Sequence, residues 1–160
     1  MEVNYMSRNS TADDRCCVDE VGERVQNLVR LMQVFERDEI KPYGFTTSQA
    51  YVLLTIRGSG SMTMQELSEE LNLDRSTMTR VVKNLVRDGW VIRERNEEDR
   101  RQVMVTLSEK GTQISRELHH SVSEYYQKII RHLPEGRVEE VLESIDFLAR
   151  AFEKANPNCC

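Results

Sequence analysis

The sequence predicts a mainly α-helical fold that carries one small β-hairpin. Apolar residues recur at helical spacing along most of the chain, and helix-starting and helix-stopping residues separate these stretches. Two short β-rich runs, WVIRER and QVMVTL, flank the polar turn NEEDRR. A length of 160 residues with 39% hydrophobic content fits one compact domain, or a small domain with an appended dimer interface.

The first predicted helix begins at Asp13 or Asp14, either of which would cap it, and ends at Glu39, before the KPYG segment. Its apolar residues follow one another at alternating steps of three and four residues, which is typical of a helix that packs against a partner helix. We therefore favour a helix of a dimer interface, with an intramolecular core helix as the alternative. The residues of this seam are Val18, Val21, Val25, Leu28, Met32 and Phe35.

The next predicted helix is short and nearly all apolar, TSQAYVLLTIRGSG. Thr47 or Ser48 would cap its start, and Gly58 or Gly60 would stop it. A helix that is apolar on all sides is usually buried, so this segment is expected to form the centre of the domain.

A helix, a three-residue turn and a second helix follow. In SMTMQELSEEL, Thr63 and Glu66 have the spacing of a capping box. The turn NLD ends at Asp74, the expected cap of RSTMTRVVKNLVRDGW, and Gly89 is the expected stop. The residues expected to face inward are Met64 and Leu67 in the first helix, and Met78, Val81, Val82 and Leu85 in the second.

Two long helices are predicted after the hairpin. Ser108 would cap the first, and Pro134 and Gly136 would end it before a final helix over residues 137–155. Each helix has one apolar face at helical spacing. These faces comprise Ile114, Leu118, Val122, Tyr125, Ile129 and Leu133, and then Val138, Val141, Leu142, Ile145, Leu148 and Phe152.

The order helix, short turn, helix, hairpin is that of a winged helix-turn-helix domain. The outward face of the second helix is basic and rich in hydroxyls, and it has no carboxylate before Asp88. Arginine can bridge two acceptors of guanine, and Ser and Thr fit base edges or phosphates, so this face suits the major groove of duplex DNA. A solvated helix face is the alternative. The predicted contacts are Ser76, Thr77, Thr79, Arg80 and Lys83.

The hairpin predicts a second DNA contact, which we call the wing. Its arginines surround acidic residues that would repel phosphate. Asp99 is therefore interpreted as a brace that pairs with a nearby arginine and directs its guanidinium at a narrow minor groove. An ordinary charged hairpin is the alternative. The predicted wing residues are Arg93, Arg95, Asp99, Arg100 and Arg101.

The distribution of charge indicates a localised anionic partner. The chain carries a net charge of −5, yet residues 75–101 hold eight Lys or Arg against five Asp or Glu, a net of +3. Acidic segments lie on both sides: residues 1–40 carry a net −4, and residues 117–154 a net −3. No apolar run approaches the roughly 20 residues of a membrane span, and the polar start does not resemble a signal peptide. We therefore expect a cytoplasmic protein.

The segment MTMQELSEELNLDRSTMTRVVKNLVRDGWVIRERNEEDRRQVMVTLSEKG resembles the core of the MarR family of bacterial and archaeal transcription regulators. The resemblance rests on the patterns L-x-x-S-T-x-T-R-x-V-x-x-L, G-W-V-I-R, D-x-R and V-x-L-[ST]-x-x-G. It implies a homodimer whose N- and C-terminal helices interlock and whose two winged domains grip one palindrome. It also implies that Arg101 enters the minor groove and that Asp99 orients it.

The predicted domain boundaries follow from these assignments. Residues 1–13 are expected to form a flexible leader, residues 14–45 and 109–155 a helical dimerisation region, residues 46–108 the winged helix-turn-helix domain, and residues 156–160 a polar tail. A two-fold dimer would present its recognition helices about one turn of DNA apart, which predicts a pseudo-palindromic operator.

Two pairs of adjacent cysteines, in RCCVD and NPNCC, are candidates for an effector site. Interlocked terminal helices would bring the pairs together, and clustered thiolates suit a metalloid or soft metal ion. Alternatively, one pair would be oxidised and the other would resolve it, although the acidic surroundings DDRCCVDE should weaken peroxide reactivity. Both pairs could instead be inert on frayed ends. The residues are Cys16, Cys17, Cys159 and Cys160.

These observations predict a homodimeric, sequence-specific transcription regulator, usually a repressor, that binds double-stranded DNA and is released by a chemical signal. The histidines (His119, His120 and His132) form no catalytic pattern, so we do not expect an enzyme. The only cofactor candidate is a soft metal or metalloid held by cysteine thiolates. Two alternatives remain: a winged-helix module that binds proteins rather than DNA, and a regulator that responds to a small aromatic ligand and has inert cysteines.

Overall fold

The computed structural model describes residues 12–95 and 102–155, with side chains from residue 18 onward. The chain forms two compact units, Met1–Asp38 and Glu39–Cys160. The mainly α-helical fold with a small antiparallel sheet confirms the predicted fold class. The predicted tail and the tip of the hairpin lie outside the described residues, as does most of the predicted leader.

The described part of the first unit is a single long helix. Helix α1 spans Ala12–Phe35 and continues as a π-helical turn, Glu36–Ile40. The predicted cap at Asp13 or Asp14 is wrong, because both residues already lie inside the helix. Within the described part of this unit, much of the predicted seam is open to solvent. Its most exposed members are Val18, Val21 and Leu28.

The second unit begins with a 3-10 turn, Lys41–Tyr43, and helix α2, Thr47–Ser59. The predicted cap at Thr47 or Ser48 is wrong, because Thr46 caps the helix. The Thr46 hydroxyl accepts the Gln49 amide at 3.3 Å, and the Gln49 side chain accepts the Thr46 amide at 2.9 Å. This reciprocal pair satisfies two helix-end donors at once, which a cap one residue later would not do. The buried residues of α2 are Ala50, Val52, Leu53 and Ile56.

A strand that was not predicted from the sequence follows α2. Strand β1 spans Ser61–Thr63 and precedes helix α3, Met64–Glu70. It pairs antiparallel with β3, Val103–Leu107, so that Met62 lies opposite Val105. The predicted hairpin, formed by β2 (Val91–Arg95) and β3, is therefore part of a three-stranded sheet in the order β1-β3-β2.

The remaining predicted elements of the winged domain are present. Helix α4 spans Arg75–Arg87, and strand β2, Val91–Arg95, pairs antiparallel with β3. The inward face of α4 packs into the core of this unit as predicted. Its buried residues are Met78, Val81, Val82 and Leu85, and the core also takes Leu67 of α3, Val105 of β3 and Leu118 of the following helix.

Two long helices end the described chain. Helix α5 spans Glu109–His132 and begins at the predicted cap, where the Ser108 hydroxyl accepts the Gly111 amide at 2.9 Å. Helix α6 spans Val138–Ala155. The predicted apolar face of α5 is buried at Leu118 but exposed near its end, and α6 has no buried residue at all. None of the helices in the described ranges has the length and apolar character needed to cross a membrane.

Candidate nucleic-acid interface

The helix-turn-helix is built from α3, a short turn and α4. The capping box predicted for α3 is confirmed: the Thr63 hydroxyl accepts the Glu66 amide at 3.1 Å, and the Glu66 carboxylate accepts the Thr63 amide at 2.7 Å. The backbone hydrogen bond from Thr63 lowers the pKa of Glu66, so this carboxylate stays charged at the positive end of the helix. In the turn, Asn72 adopts a left-handed conformation with φ of 48°, which Asn tolerates better than most residues.

The start of the recognition helix α4 is held by Asp74, the predicted cap. Its Oδ1 accepts hydrogen bonds from the Ser76 hydroxyl at 2.5 Å and from the amides of Ser76 and Thr77 at 3.0 and 2.9 Å. These bonds favour the charged carboxylate, with the Ser76 hydroxyl as the largest cause, and they hold the pKa of Asp74 well below its ordinary value. The Asp74 cap therefore fixes the residue at which α4 begins.

We expect the Asp74 cap to make stability depend on pH. The folded-state pKa is lowered, so the carboxylate stabilises the fold above its unfolded pKa of about 3.9 and loses this effect as pH falls toward the folded pKa. Asp74→Asn keeps a capping oxygen but cannot ionise. In urea titrations, wild type should be more stable than Asp74→Asn at pH 7, and this advantage should shrink below about pH 4.

Asp74→Ala provides the control for that titration. It lacks a capping group at every pH and should be less stable than Asp74→Asn throughout. An advantage of wild type over Asp74→Asn that stays constant from pH 7 to pH 2 would contradict the assigned role of the charge.

The outward face of α4 presents the predicted major-groove residues to solvent. Ser76, Thr79, Arg80 and Lys83 are exposed, and Thr77 is half-buried. Among the described residues, Arg80 and Lys83 form no ion pair, so both cations remain available to an incoming ligand. Arg87, one turn further along, is different because its guanidinium binds the Asp88 carboxylate at 2.7 Å.

Two hydroxyls of this face already donate hydrogen bonds inside the protein. The Ser76 hydroxyl donates to Asp74, and the Thr79 hydroxyl donates to the Arg75 carbonyl at 2.7 Å. Their protons are therefore used within the helix, and their oxygens can accept hydrogen bonds but not donate them without rotating. Phosphate oxygens need donors, and Arg80 and Lys83 are the predicted contact residues of this face that can supply charged ones.

The described part of the wing places Arg93 and Arg95 on β2, where both are exposed. Arg93 lies opposite Val105 and Arg95 opposite Val103. Being two residues apart on a strand, the arginines belong to the same face of the sheet. The other predicted wing residues, Asp99, Arg100 and Arg101, lie outside the described residues.

One open groove of about 530 Å³ joins the two predicted contact regions. Thr79 of the recognition helix and Arg93 of the wing both line it. Arg75 also lines the groove, although it was not among the predicted contact residues. The spacing in the sequence could have identified Arg75, because it precedes Thr79 by one helical turn and so lies on the same face of α4.

The four cysteines of the predicted effector site are not tested by the structure. Cys16 and Cys17 lie in the first part of α1, where side chains are not described, and Cys159 and Cys160 lie beyond the described residues. Within the described ranges no group of three His, Cys, Asp or Glu side chains could hold a metal ion.

The fold and the basic face define a winged-helix protein of the kind that reads DNA. The MarR family model matches residues 45–103. The multiple antibiotic resistance protein MarR of Escherichia coli is 33% identical over 100 residues, which cover 62% of this chain and 69% of that protein. The chain belongs to the MarR family, as predicted. The family consists of transcription regulators, which confirms that the protein is not an enzyme.

Solved structures agree with this assignment. A MarR transcriptional regulator from Methanosarcina mazei is 26% identical with a TM-score of 0.71, covering 86% of this chain and 99% of that one. AbfR, described in a reduced form bound to DNA, is 27% identical with a TM-score of 0.67, covering 88% and 96%. AbfR is also described in an overoxidized form bound to DNA, at 27% identity and a TM-score of 0.66, covering 88% and 97%.

Proposed function

We propose that this protein is a homodimeric repressor that binds a pseudo-palindromic operator in double-stranded DNA and leaves it on a chemical signal. The observation that carries the proposal is the outward face of α4, where Arg80 and Lys83 stand free of acidic partners among the described residues. Such a face fits the major groove, where arginine bridges two acceptors of guanine. AbfR, similar in fold, is described bound to DNA.

The apolar surface of α6 supports a homodimer. This helix has no buried residue, although a helix of a folded domain normally covers one apolar face. Its exposed apolar side chains would be covered by a second copy of the chain, as would the open seam of α1. The exposed residues of α6 include Leu142, Ile145, Phe147 and Phe152.

Two-fold symmetry then sets the form of the operator. Each protomer would place one α4 in the major groove and one wing beside it, so the two half-sites would be related by the same two-fold axis. Repression follows when the operator overlaps a promoter. Because the partner is chromosomal DNA, we place the protein in the cytoplasm.

We expect Arg80→Ala to weaken operator binding by about 1–3 kcal/mol, because a bidentate contact to guanine contributes about this much discrimination. Binding should be measured by fluorescence anisotropy on a duplex that the wild-type protein selects from a random pool. Titration at high duplex concentration should give two chains per duplex, and a duplex with one half-site should bind more weakly.

Arg131→Ala is the matched control, because Arg131 is an exposed arginine in the last turn of α5, outside the winged domain. It removes the same charge and should bind the duplex nearly as wild type does. Equal affinities of Arg80→Ala and Arg131→Ala for the duplex would contradict the proposed contact between the outward face of α4 and DNA. A wild-type protein without salt-dependent duplex binding would favour the alternative, a winged-helix module that binds proteins.

For the signal we propose thiol chemistry at the two cysteine pairs, with either a soft metal or metalloid or an oxidant as the effector. The support is the presence of four cysteines in two adjacent pairs, together with a relative that is described in reduced and overoxidized forms. The test adds arsenite, cadmium or cumene hydroperoxide to the operator complex. Release from wild type but not from a variant with all four cysteines changed to serine would support it; equal release from both would favour inert cysteines and a small aromatic effector.

A further inference from the structure

The recognition helix ends in a tight backbone lock. The Trp90 amide donates to the Leu85 carbonyl at 2.8 Å, and the Gly89 amide donates to the Val86 carbonyl at 3.0 Å. Gly89 adopts a left-handed conformation with φ of 75°, which glycine reaches without steric cost. These are the bonds of a Schellman motif, so the chain leaves α4 in one defined direction.

The start of α5 packs against the corner that this motif forms at Gly89 and Trp90. The Ser108 hydroxyl donates to the Gly89 carbonyl at 2.7 Å, and the Ser108 amide donates to the Trp90 carbonyl at 3.1 Å. Gly111 packs so closely that an added Cβ would lie 1.9 Å from the Trp90 carbonyl oxygen. The corner and the first turn of α5 are therefore joined backbone to backbone, with almost no free space between them.

Lys110 closes the contact from the solvent side. Its Nζ lies 3.6 Å from the centre of the Trp90 ring and 3.3 Å from the Asp88 carbonyl oxygen, to which it donates. A cation is favourable both over an indole face and at the carboxyl end of a helix. The Trp90 ring also meets Phe45 edge-on, with ring centres 5.2 Å apart. The ammonium group of Lys110 therefore has two partners within the fold, although the residue is exposed.

We propose that Lys110 is a positioning residue that sets the orientation of the recognition helix relative to α5. We call the set of Ser108, Lys110 and Gly111 with residues 88–90 the corner clasp. This inference rests on the proposed function, in which α5 belongs to the dimerisation region. The clasp then connects the dimerisation region to α4 and fixes the distance between the two copies of α4 in the dimer. This distance sets the spacing of operator half-sites that the protein can bind.

The test compares three variants on the duplex selected by wild type and on the same duplex with two base pairs inserted between its half-sites. Lys110→Met keeps the aliphatic stem and removes the charge, Lys110→Arg keeps a cation over the ring, and Lys128→Met removes an exposed lysine elsewhere on α5. Discrimination is the ratio of the two dissociation constants. It should fall about two- to fivefold in Lys110→Met, the equilibrium factor of a partly exposed cation–π contact, and should be retained in the other two.

Two further measurements separate positioning from other roles. Trp90 is the only tryptophan in the chain, so the indole emission reports on the clasp directly and should change in Lys110→Met but not in Lys128→Met. The salt dependence of binding should be the same in Lys110→Met as in Lys128→Met, because a lost phosphate contact would lower the slope by about one. A lowered slope would show that Lys110 touches DNA and would overturn the proposal.

The outcomes also separate this inference from the proposed function. If Lys110→Met discriminates between the two duplexes as well as Lys128→Met does, the clasp does not set the spacing and the inference alone fails. If the wild-type protein selects no duplex at all, the proposed function fails, and the positioning role fails with it.

Discussion

Gly111→Ala is expected to destabilise the second unit by about 2–3 kcal/mol, the cost of forcing an extra methyl group into a close-packed contact. The new Cβ would lie 1.9 Å from the Trp90 carbonyl oxygen and 3.0 Å from its carbonyl carbon. Both atoms belong to the backbone, so relief requires a shift of the corner or of α5 rather than a change of rotamer. Urea unfolding at a fixed protein concentration measures the loss, because association would otherwise alter apparent stability.

Gly58→Ala is the matched control for this substitution. Gly58 also lies in a helix, but a Cβ there would meet nothing within 4 Å apart from its own helical backbone. Since alanine restricts the unfolded chain more than glycine does, Gly58→Ala should leave stability unchanged or raise it by up to about 1 kcal/mol. Similar stabilities of the Gly111 and Gly58 variants would show that the corner can move apart at little cost.

Leu85→Ala is expected to destabilise the fold by about 2–5 kcal/mol, the cost of deleting a fully buried leucine and leaving a cavity. Leu85 is completely buried on the inward face of α4, and its carbonyl also receives the Trp90 amide at 2.8 Å. The substitution keeps this backbone bond and removes only the packing. Urea unfolding should therefore show a lower midpoint with an unchanged slope.

The adjacent residue supplies the comparison. Val86 is 38% exposed, and Val86→Ala should change the free energy of unfolding by no more than about 0.5 kcal/mol. A loss at Val86 equal to that at Leu85 would mean that the outward side of α4 is buried in solution, which would leave less of this helix open to DNA.

Periodicity accounts for what could be predicted from the sequence. The inward residues of α4 recur at helical spacing, and the caps Thr63, Asp74 and Ser108 precede their helices at the distances that side-chain capping requires. These are local relations, in which a side chain meets its own backbone within one turn. They also predicted the candidate DNA-contacting face of α4, because identifying the buried side of a helix identifies its exposed side.

Features that depend on distant residues were not predicted. Strand β1 has three residues, too few to show alternation, and it is a strand only because β3 pairs with it. The corner clasp joins Ser108 to Gly89, 19 residues away, and the sequence gives no sign that Lys110 lies over Trp90 rather than in solvent. Gly111 belongs to the motif V-x-L-[ST]-x-x-G, but the steric need for glycine is visible only from the Trp90 carbonyl.

The pairing of β1 with β3 protects the wing against a slip in strand register. Strand β3 is hydrogen-bonded on both sides, to β1 and to β2, and Val105 is its buried residue. A slip of β3 by one residue would turn Val105 toward solvent and bring Thr106 into the core, and it would have to break two ladders together. The register of β3 is therefore fixed by both of its neighbours, and this holds Arg93 and Arg95 of β2 in place opposite Val105 and Val103.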